Sequence, residues 1–103
     1  MPSGTLGQSV PALSTNTTVY TVPASKVATF NINICNRGSA AAPIRLAIAA
    51  TGTPADMEYL EFDTLVNANG VLERSGLVAT AAKNIVVYCG SANFSINIYG
   101  FEE

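Results

Sequence analysis

Apolar residues alternate with small polar ones along residues 26–36. On an extended chain, successive side chains point to opposite sides, so this alternation predicts a strand with one buried face. The predicted buried face consists of Ala28, Phe30, Ile32 and Ile34. The other face would carry Thr29, Asn31, Asn33 and Cys35. Because asparagine is uncommon in strands, its repetition there indicates either hydrogen bonds to a neighbouring strand or subunit, or simply a solvated face.

The same alternation returns along the rest of the chain, separated by turn-forming residues. Strands are predicted at 19–22, 26–36, 43–50, 58–66, 71–79, 84–89 and 94–101. Asn69 and Gly70 suit a tight turn, and Gly76 inside a strand indicates a bulge. Short strands with regular turns and no convincing helix predict an all-β protein. We expect an antiparallel β-sandwich, Ig-like or jelly-roll-like, of about seven to eight strands.

Residues 1–18 have a different composition, with two prolines, two glycines and many hydroxyl side chains. The apolar residues Leu6, Val10 and Leu13 are too sparse to form a core of their own. The segment is therefore predicted to be an extended N-terminal arm, and residues 19–103 the sandwich domain. The spaced apolar side chains could fill pockets on a neighbouring chain, whereas a loose terminus without a role is the alternative.

Charge is scarce in this chain. Only 12% of the 103 residues are charged, and the formal net charge is −2. The five basic residues are dispersed, which argues against nucleic-acid binding, since that needs clustered positive charge. No apolar run is long enough for a membrane span, and the first residues do not resemble a signal peptide, so synthesis in a cytoplasm is expected. A weakly charged surface suits a protein that packs against neighbours.

Residues that carry enzymatic chemistry are few. The chain has no histidine, so neither a Ser-His-Asp triad nor a histidine-ligated metal can form. We predict no catalytic residue, no cofactor and no metal site. Cys35 and Cys89 could form a disulfide across the sandwich, but free thiols are favoured for a cytoplasmic product. The four tyrosines could recognise a ligand such as a sugar or fill subunit contacts.

Three of the five basic residues are arginines, namely Arg37, Arg45 and Arg74. A guanidinium donates hydrogen bonds in a fixed fork, so these side chains are predicted to make specific polar contacts. The expected acceptors are Glu58, Glu61, Asp63, Glu73 or carboxylates of a neighbouring subunit. Solvated charges that contribute little are the alternative. Together with Leu6, Val10 and Leu13, the three arginines form the predicted partner interface.

From residue 19 to 103 the chain resembles a group of small virion structural proteins of tailed bacteriophages. The most specific segments are YTVPA at 20–24, CNR at 35–37, NGVLER at 69–74 and YGFE at 99–102. Ser25 stands where these proteins are expected to have a glycine. The resemblance implies a β-sandwich present in many copies on phage particles and no catalytic residue to carry over.

Two functions remain open from the resemblance. The first is a capsid decoration or cement protein on the outer surface of the head, bound to the major capsid protein. The second is a module of the tail, baseplate or fibre attachment that could also bind host-surface carbohydrate. In either case we expect a homo-oligomer, most simply a trimer, located in the virion, whose N-terminal arms reach neighbouring chains.

Overall fold

The computed structural model describes residues 3–103, which form two four-stranded antiparallel sheets packed as a sandwich. The strands are β1 Ser3–Ser9, β2 Thr17–Thr21, β3 Ala28–Asn36, β4 Ala42–Ala49, β5 Tyr59–Val66, β6 Val71–Ala79, β7 Asn84–Cys89 and β8 Phe94–Glu102. Sheet I has the order β1-β8-β3-β6, and sheet II the order β2-β7-β4-β5. This confirms the predicted all-β sandwich, and the strand order is that of a jelly roll.

The core lies between the sheets and follows from the alternation in the sequence. In β3, every second residue from Ala28 to Asn36 is buried. The neighbouring strand β8 and the opposing strands β4 and β7 contribute further large side chains that are almost fully buried, including Ile44, Leu46, Ile85, Phe94, Ile96 and Ile98. Each such side chain contributes about 1.5–3 kcal/mol on burial, so this apolar interior is the main source of stability.

Residues 3–9, which the sequence suggests belong to an arm outside the sandwich, form an edge strand of sheet I in the structure. They are extended, as expected, but β1 pairs with β8 of the same chain. The register shifts between Thr5 and Gly7, and the extra residue Leu6 packs against the core. A side chain at Gly7 would lie 2.6 Å from the carbonyl oxygen of Val19, so glycine allows β1 and β2 to approach closely. Pairing within the chain satisfies backbone groups that an arm would leave free.

Most connections cross from one sheet to the other, and only β4 and β5 are successive strands that pair. Asn69 adopts the positive φ of 57° expected of its turn, but this turn joins β5 of sheet II to β6 of sheet I. Gly76 lies at the predicted bulge, with a φ of 69°. Its amide donates to Asn31 Oδ1 at 3.1 Å. The turn residues therefore mark where strands end, but not which strands pair.

Two polar side chains, Asn36 and Glu102, are buried, and each forms a hydrogen bond to a residue of the other sheet. The Asn36 side chain donates to the carbonyls of Ala40 and Val66 at 3.0 and 3.1 Å, and accepts from the Gly38 amide at 2.8 Å. At the other buried site, the Tyr20 hydroxyl of β2 donates to the Glu102 carboxylate of β8. Burial and this bond raise the pKa of Tyr20 above its ordinary value, so the hydroxyl keeps its proton.

Candidate interaction surface on sheet II

The outer face of sheet II is shaped by an irregularity in β5. Ile44 pairs with Thr64 and Leu46 pairs with Glu61, so two residues of β5, Phe62 and Asp63, lie opposite Arg45 alone. Asp63 has a positive φ of 53°, which is the bulged conformation. The bulge places Phe62 and Asp63 on the same face as Arg45, where a regular strand would have turned one of them inward.

Arg45 is held on several sides by these neighbours. Its Nε donates to Asp63 Oδ1 at 2.7 Å, and its Nη2 donates to Oδ2 at 3.3 Å. The guanidinium carbon lies 4.2 Å from the centre of the Phe62 ring and 4.5 Å from that of Tyr88. Tyr59 meets Phe62 edge to face, with ring centres 5.0 Å apart. We call this surface the aromatic face, defined by Arg45, Tyr59, Phe62, Leu65 and Tyr88.

The charges of the aromatic face are satisfied within the chain. The hydrogen bond to Asp63 is the main cause that raises the pKa of Arg45 above its ordinary value. Because both partners are partly exposed, with side-chain exposures of 29% and 48%, the ion pair contributes at most about 1 kcal/mol to stability. Contact of the guanidinium with the rings adds about 0.5–1 kcal/mol at such a site. The result is an ordered surface with no net charge of its own.

Large apolar side chains remain open to solvent on this face. Phe62 is 56% exposed and Leu65 is 66% exposed. Met57, in the 3-10 turn Asp56–Glu58 just before β5, is 93% exposed. Exposed apolar patches combined with tyrosine and arginine are typical of protein contact sites. The arrangement is suited to binding another protein.

The predicted arginine contacts can now be compared with the structure. Arg45 and Arg74 each pair with a carboxylate named among the expected acceptors, Asp63 and Glu61 respectively. The pair of Arg74 and Glu61 joins the edge strands of the two sheets, β6 and β5, and Thr64 also donates to Glu61 at 2.7 Å. It closes the open side of the sandwich and does not belong to the aromatic face.

Arg37 and the apolar residues of the predicted interface lie elsewhere. The Arg37 side chain makes no ion pair with any residue from 3 to 103, and its backbone amide donates to the Asn93 carbonyl. Leu6 is half-buried against the core, whereas Val10 and Leu13 are 61% and 57% exposed in the connection between β1 and β2. The structure therefore brings Arg45 into a cluster but does not bring the six predicted residues together.

The two cysteines are free and point in different directions. Cys35 is half-buried on the outer face of sheet I, and Cys89 is fully buried in the core. Burial raises the pKa of Cys89 to about 12, so this thiol is not ionised near neutral pH. The residues that the structure describes contain no group of three or more Cys, Asp or Glu side chains placed to hold a metal ion.

Phe62 is the central residue that the sequence pattern does not single out. Around it, at 59–63, apolar residues occupy both odd and even positions, so no single face could be assigned by alternation. Such a break in period two between regular strands is itself the signature of a bulge. That signal indicates an irregular strand at 59–63, but the position of Phe62 opposite Arg45 follows only from the pairing of β5 with β4.

No helix within residues 3–103 has the length and apolar character needed to cross a membrane. Comparison of the chain with protein-family models, with curated proteins and with solved structures finds no match.

Proposed function

We propose that the protein is a structural component of a bacteriophage virion that decorates the outer surface of the head and binds there through its aromatic face. The observation that carries this proposal is the preformed cluster around Arg45, with Phe62 and Leu65 more than half exposed beside it. Ordered aromatic and arginine side chains are the residues that most often dominate protein–protein binding energy.

Composition and fold also support this proposal. The chain resembles small virion proteins at several segments, and jelly rolls occur in viral capsid domains. A net charge of −2 produces little repulsion between neighbouring copies. A standard protein interface buries about 800 Å² on each partner. That is about a sixth of the 5137 Å² of accessible surface on this chain, so one sheet face is large enough for a stable contact.

Self-association as a trimer is part of the proposal. Leu6 contacts the core of its own chain, so this residue contributes little to an arm that reaches a neighbour. The exposed Val10 and Leu13 remain suited to a contact between copies. Many weak contacts of this kind gain strength from repetition on a lattice without any strong single contact.

A tail, baseplate or fibre-attachment module is the second candidate. The aromatic cluster favours it, because exposed rings can bind sugars as well as proteins. The guanidinium of Arg45 already covers one side of Phe62 and of Tyr88, however, which leaves fewer ring faces open for a sugar. The same cluster thus fits a protein partner better.

The experiment is to purify particles of the virus that encodes the chain and to determine where the protein lies and in how many copies. Mass spectrometry of gradient-purified particles and gold-labelled antibodies in electron micrographs provide the two measurements. The proposal expects many copies distributed over the head. Labelling confined to the tail would favour the second candidate, and absence from purified particles would overturn both.

A further inference from the structure

The outer face of sheet I differs from the aromatic face and has no role in the proposed function. Its outward residues form rows across neighbouring strands, because β3 pairs with β8 without a register shift and β6 and β1 extend the rows on either side. One row runs through Glu73, Asn33, Asn97 and Gln8, from β6 to β1. The next row contains Asn31, Tyr99 and Thr5. We call this surface the amide face, defined by Gln8, Asn31, Asn33, Asn97 and Tyr99.

The amide groups of this face are ordered and only partly used by one another. Gln8 Nε2 donates to Asn97 Oδ1 at 2.7 Å. A primary amide has two N–H donors and an oxygen that accepts two bonds, so this contact leaves the Asn97 amide nitrogen and the Gln8 oxygen available. Asn33 lies beside Asn97 in the same row. Amide side chains therefore stand side by side on neighbouring strands, whose backbones are about 4.8 Å apart.

Tyr99 reaches across this face. Its hydroxyl donates to Glu73 Oε2 at 3.4 Å, although Tyr99 belongs to β8 and Glu73 to β6, with β3 between them. Strands two apart in a sheet are separated by about 9.6 Å, so the two side chains must reach towards each other over β3. The long axis of the Tyr99 side chain consequently runs along the sheet, and 38% of the residue remains exposed. The exposed part of the ring offers apolar area on which a ligand can stack.

A shallow cavity of about 330 Å³ adjoins the amide row. It is lined by Gln8, Ser9, Val10, Ser95, Ile96 and Asn97. The lining combines amide and hydroxyl groups with one apolar wall, and its volume is at the lower end of the range for small-ligand sites. No lysine or arginine lies in the rows of the amide face or in this lining. The site therefore has no cation for an acidic ligand, and its one carboxylate, Glu73, accepts the Tyr99 hydroxyl, so a neutral ligand fits it best.

We propose that the amide face binds a neutral oligosaccharide. Sugar hydroxyls both donate and accept hydrogen bonds, which matches the free groups of Asn97 and Gln8. The apolar C–H side of a sugar ring would stack on the exposed face of Tyr99, and Glu73, which accepts the tyrosine hydroxyl, holds that ring in place. This site is separate from the aromatic face and does not depend on the virion assignment.

The test uses the full chain on an array of neutral tri- to hexasaccharides of glucose, galactose, mannose and N-acetylglucosamine. Sialylated and sulfated oligosaccharides of the same lengths serve as charged probes. Saturating neutral oligosaccharide should shift the side-chain amide signals of Gln8 and Asn97 in NMR spectra. We expect binding to at least one neutral series and weaker binding to its charged counterparts.

Substitutions on the amide face test which residues bind the oligosaccharide. Tyr99→Ala and Asn97→Ala should each weaken binding about tenfold or more, whereas Tyr99→Phe, which keeps the ring, should weaken it less. Val78→Ser is the control, because Val78 is exposed on β6 opposite Thr29 and outside the amide face, and it should leave binding unchanged. The proposal is overturned by a lack of binding to every neutral series, by preference for the charged probes, or by equal loss in Val78→Ser. It is also overturned if Tyr99→Ala changes only self-association, since the face would then contact another copy.

Discussion

The two outer faces of the sandwich are built from the same strand geometry but present opposite chemistry. On sheet II, a bulge in β5 gathers Phe62, Asp63 and Arg45, and Leu65 and Phe62 remain exposed. On sheet I, regular pairing aligns amide residues such as Asn33 and Asn97 in rows. Both sheets contain bulges: the one in β5 gathers apolar and aromatic area, while the pairing of β3 with β8, which has no register shift, spreads hydrogen-bonding groups. The proposed difference in what the two faces bind thus follows from which side chains the strand pairing brings together.

The charges follow the same division. Arg45 and Asp63 neutralise each other on the aromatic face. On the amide face, the single charged residue of the rows is Glu73, and it accepts a bond from Tyr99. Neither face offers a strong field to attract a charged partner, so shape, apolar contact and hydrogen bonding should determine what each one binds.

The largest expected effect is a difference in thiol reactivity between the outer surface and the interior of the sandwich. Native protein treated with a thiol reagent should react at Cys35 on sheet I but not at Cys89, because Cys89 is buried and burial raises its pKa to about 12. If Cys89 reacts only after global opening, its rate should be lower by about a thousandfold or more, since opening costs at least about 5 kcal/mol. Mass spectrometry of modified peptides measures both rates. Comparable rates would mean that the interior is not closed.

A change in the shared interior should disturb both faces together. Asn36→Leu removes three hydrogen bonds of a fully buried side chain and leaves two carbonyls and one amide without this partner. We expect a loss of about 2–4 kcal/mol in the free energy of unfolding. Urea denaturation gives this value, and Asn33→Leu on the surface is the matched control. A loss below about 0.5 kcal/mol would show that Asn36 does not hold the turn and β5 together.

A change on one face should leave the other intact. Phe62→Ser should weaken attachment to virus particles by about 2 kcal/mol, or roughly thirtyfold, because it removes a central ring of the aromatic face. Co-sedimentation of the variant with particles that lack the protein measures attachment. Thr29→Ser on the amide face is the control. Equal attachment of Phe62→Ser and wild type would exclude this face as the contact.

The coupling between Arg45 and Asp63 should be small. Both side chains are partly exposed, so a double-mutant cycle with Arg45→Ala and Asp63→Ala should give a coupling of at most about 1 kcal/mol in unfolding free energy. Loss of this ion pair should weaken attachment to particles more than it lowers the free energy of unfolding, since the pair orders the face that binds. A larger loss of unfolding free energy than of attachment would show that the cluster stabilises the fold and does not serve binding.

The smallest expected effect is on the segment that leads into the aromatic face. Glu58 accepts hydrogen bonds from the amides of Ala50 and Ala55, and these bonds lower its pKa below the ordinary 4.5. A lowered folded pKa means that the stabilisation is present above about pH 4.5 and is lost as the pH falls through the folded value. The Ala50 and Ala55 amide signals should therefore shift in NMR spectra only after the pH has fallen below the ordinary value of 4.5. Glu58→Gln should show no such shift.

Much of the fold could be predicted because burial on one side of a strand imposes period two on the sequence. The prediction of seven to eight strands holds, and β3 and the bulge at Gly76 lie close to their expected positions. The place of residues 3–9 was not predictable, because a short edge strand with Leu6 as its main core contact shows almost no alternation of apolar and polar residues. Which strands pair with one another was not predictable either, since turn residues such as Asn69 fit a hairpin and a connection between the two sheets equally well.

The candidate surface was predictable only in part. Arg45 was expected to bind a carboxylate, and it does bind Asp63, which the bulge of β5 places opposite it. The stacking of Arg45 on Phe62 depends on where β5 bulges, and that position is set by pairing with β4 rather than by local preference. Rows such as that of Asn33 and Asn97 likewise require the register between strands, which the alternation does not contain.

The most direct test of the account is hydroxyl-radical footprinting of the protein free in solution and attached to particles. The central claim is that the aromatic face contacts another virion protein while the amide face remains open. It predicts that oxidation of Tyr59, Phe62 and Tyr88 falls on attachment, whereas oxidation of Tyr99 and Phe101 does not change. Protection of Tyr99 and Phe101, with Phe62 as reactive as in the free protein, would contradict the account and reverse the roles of the two faces.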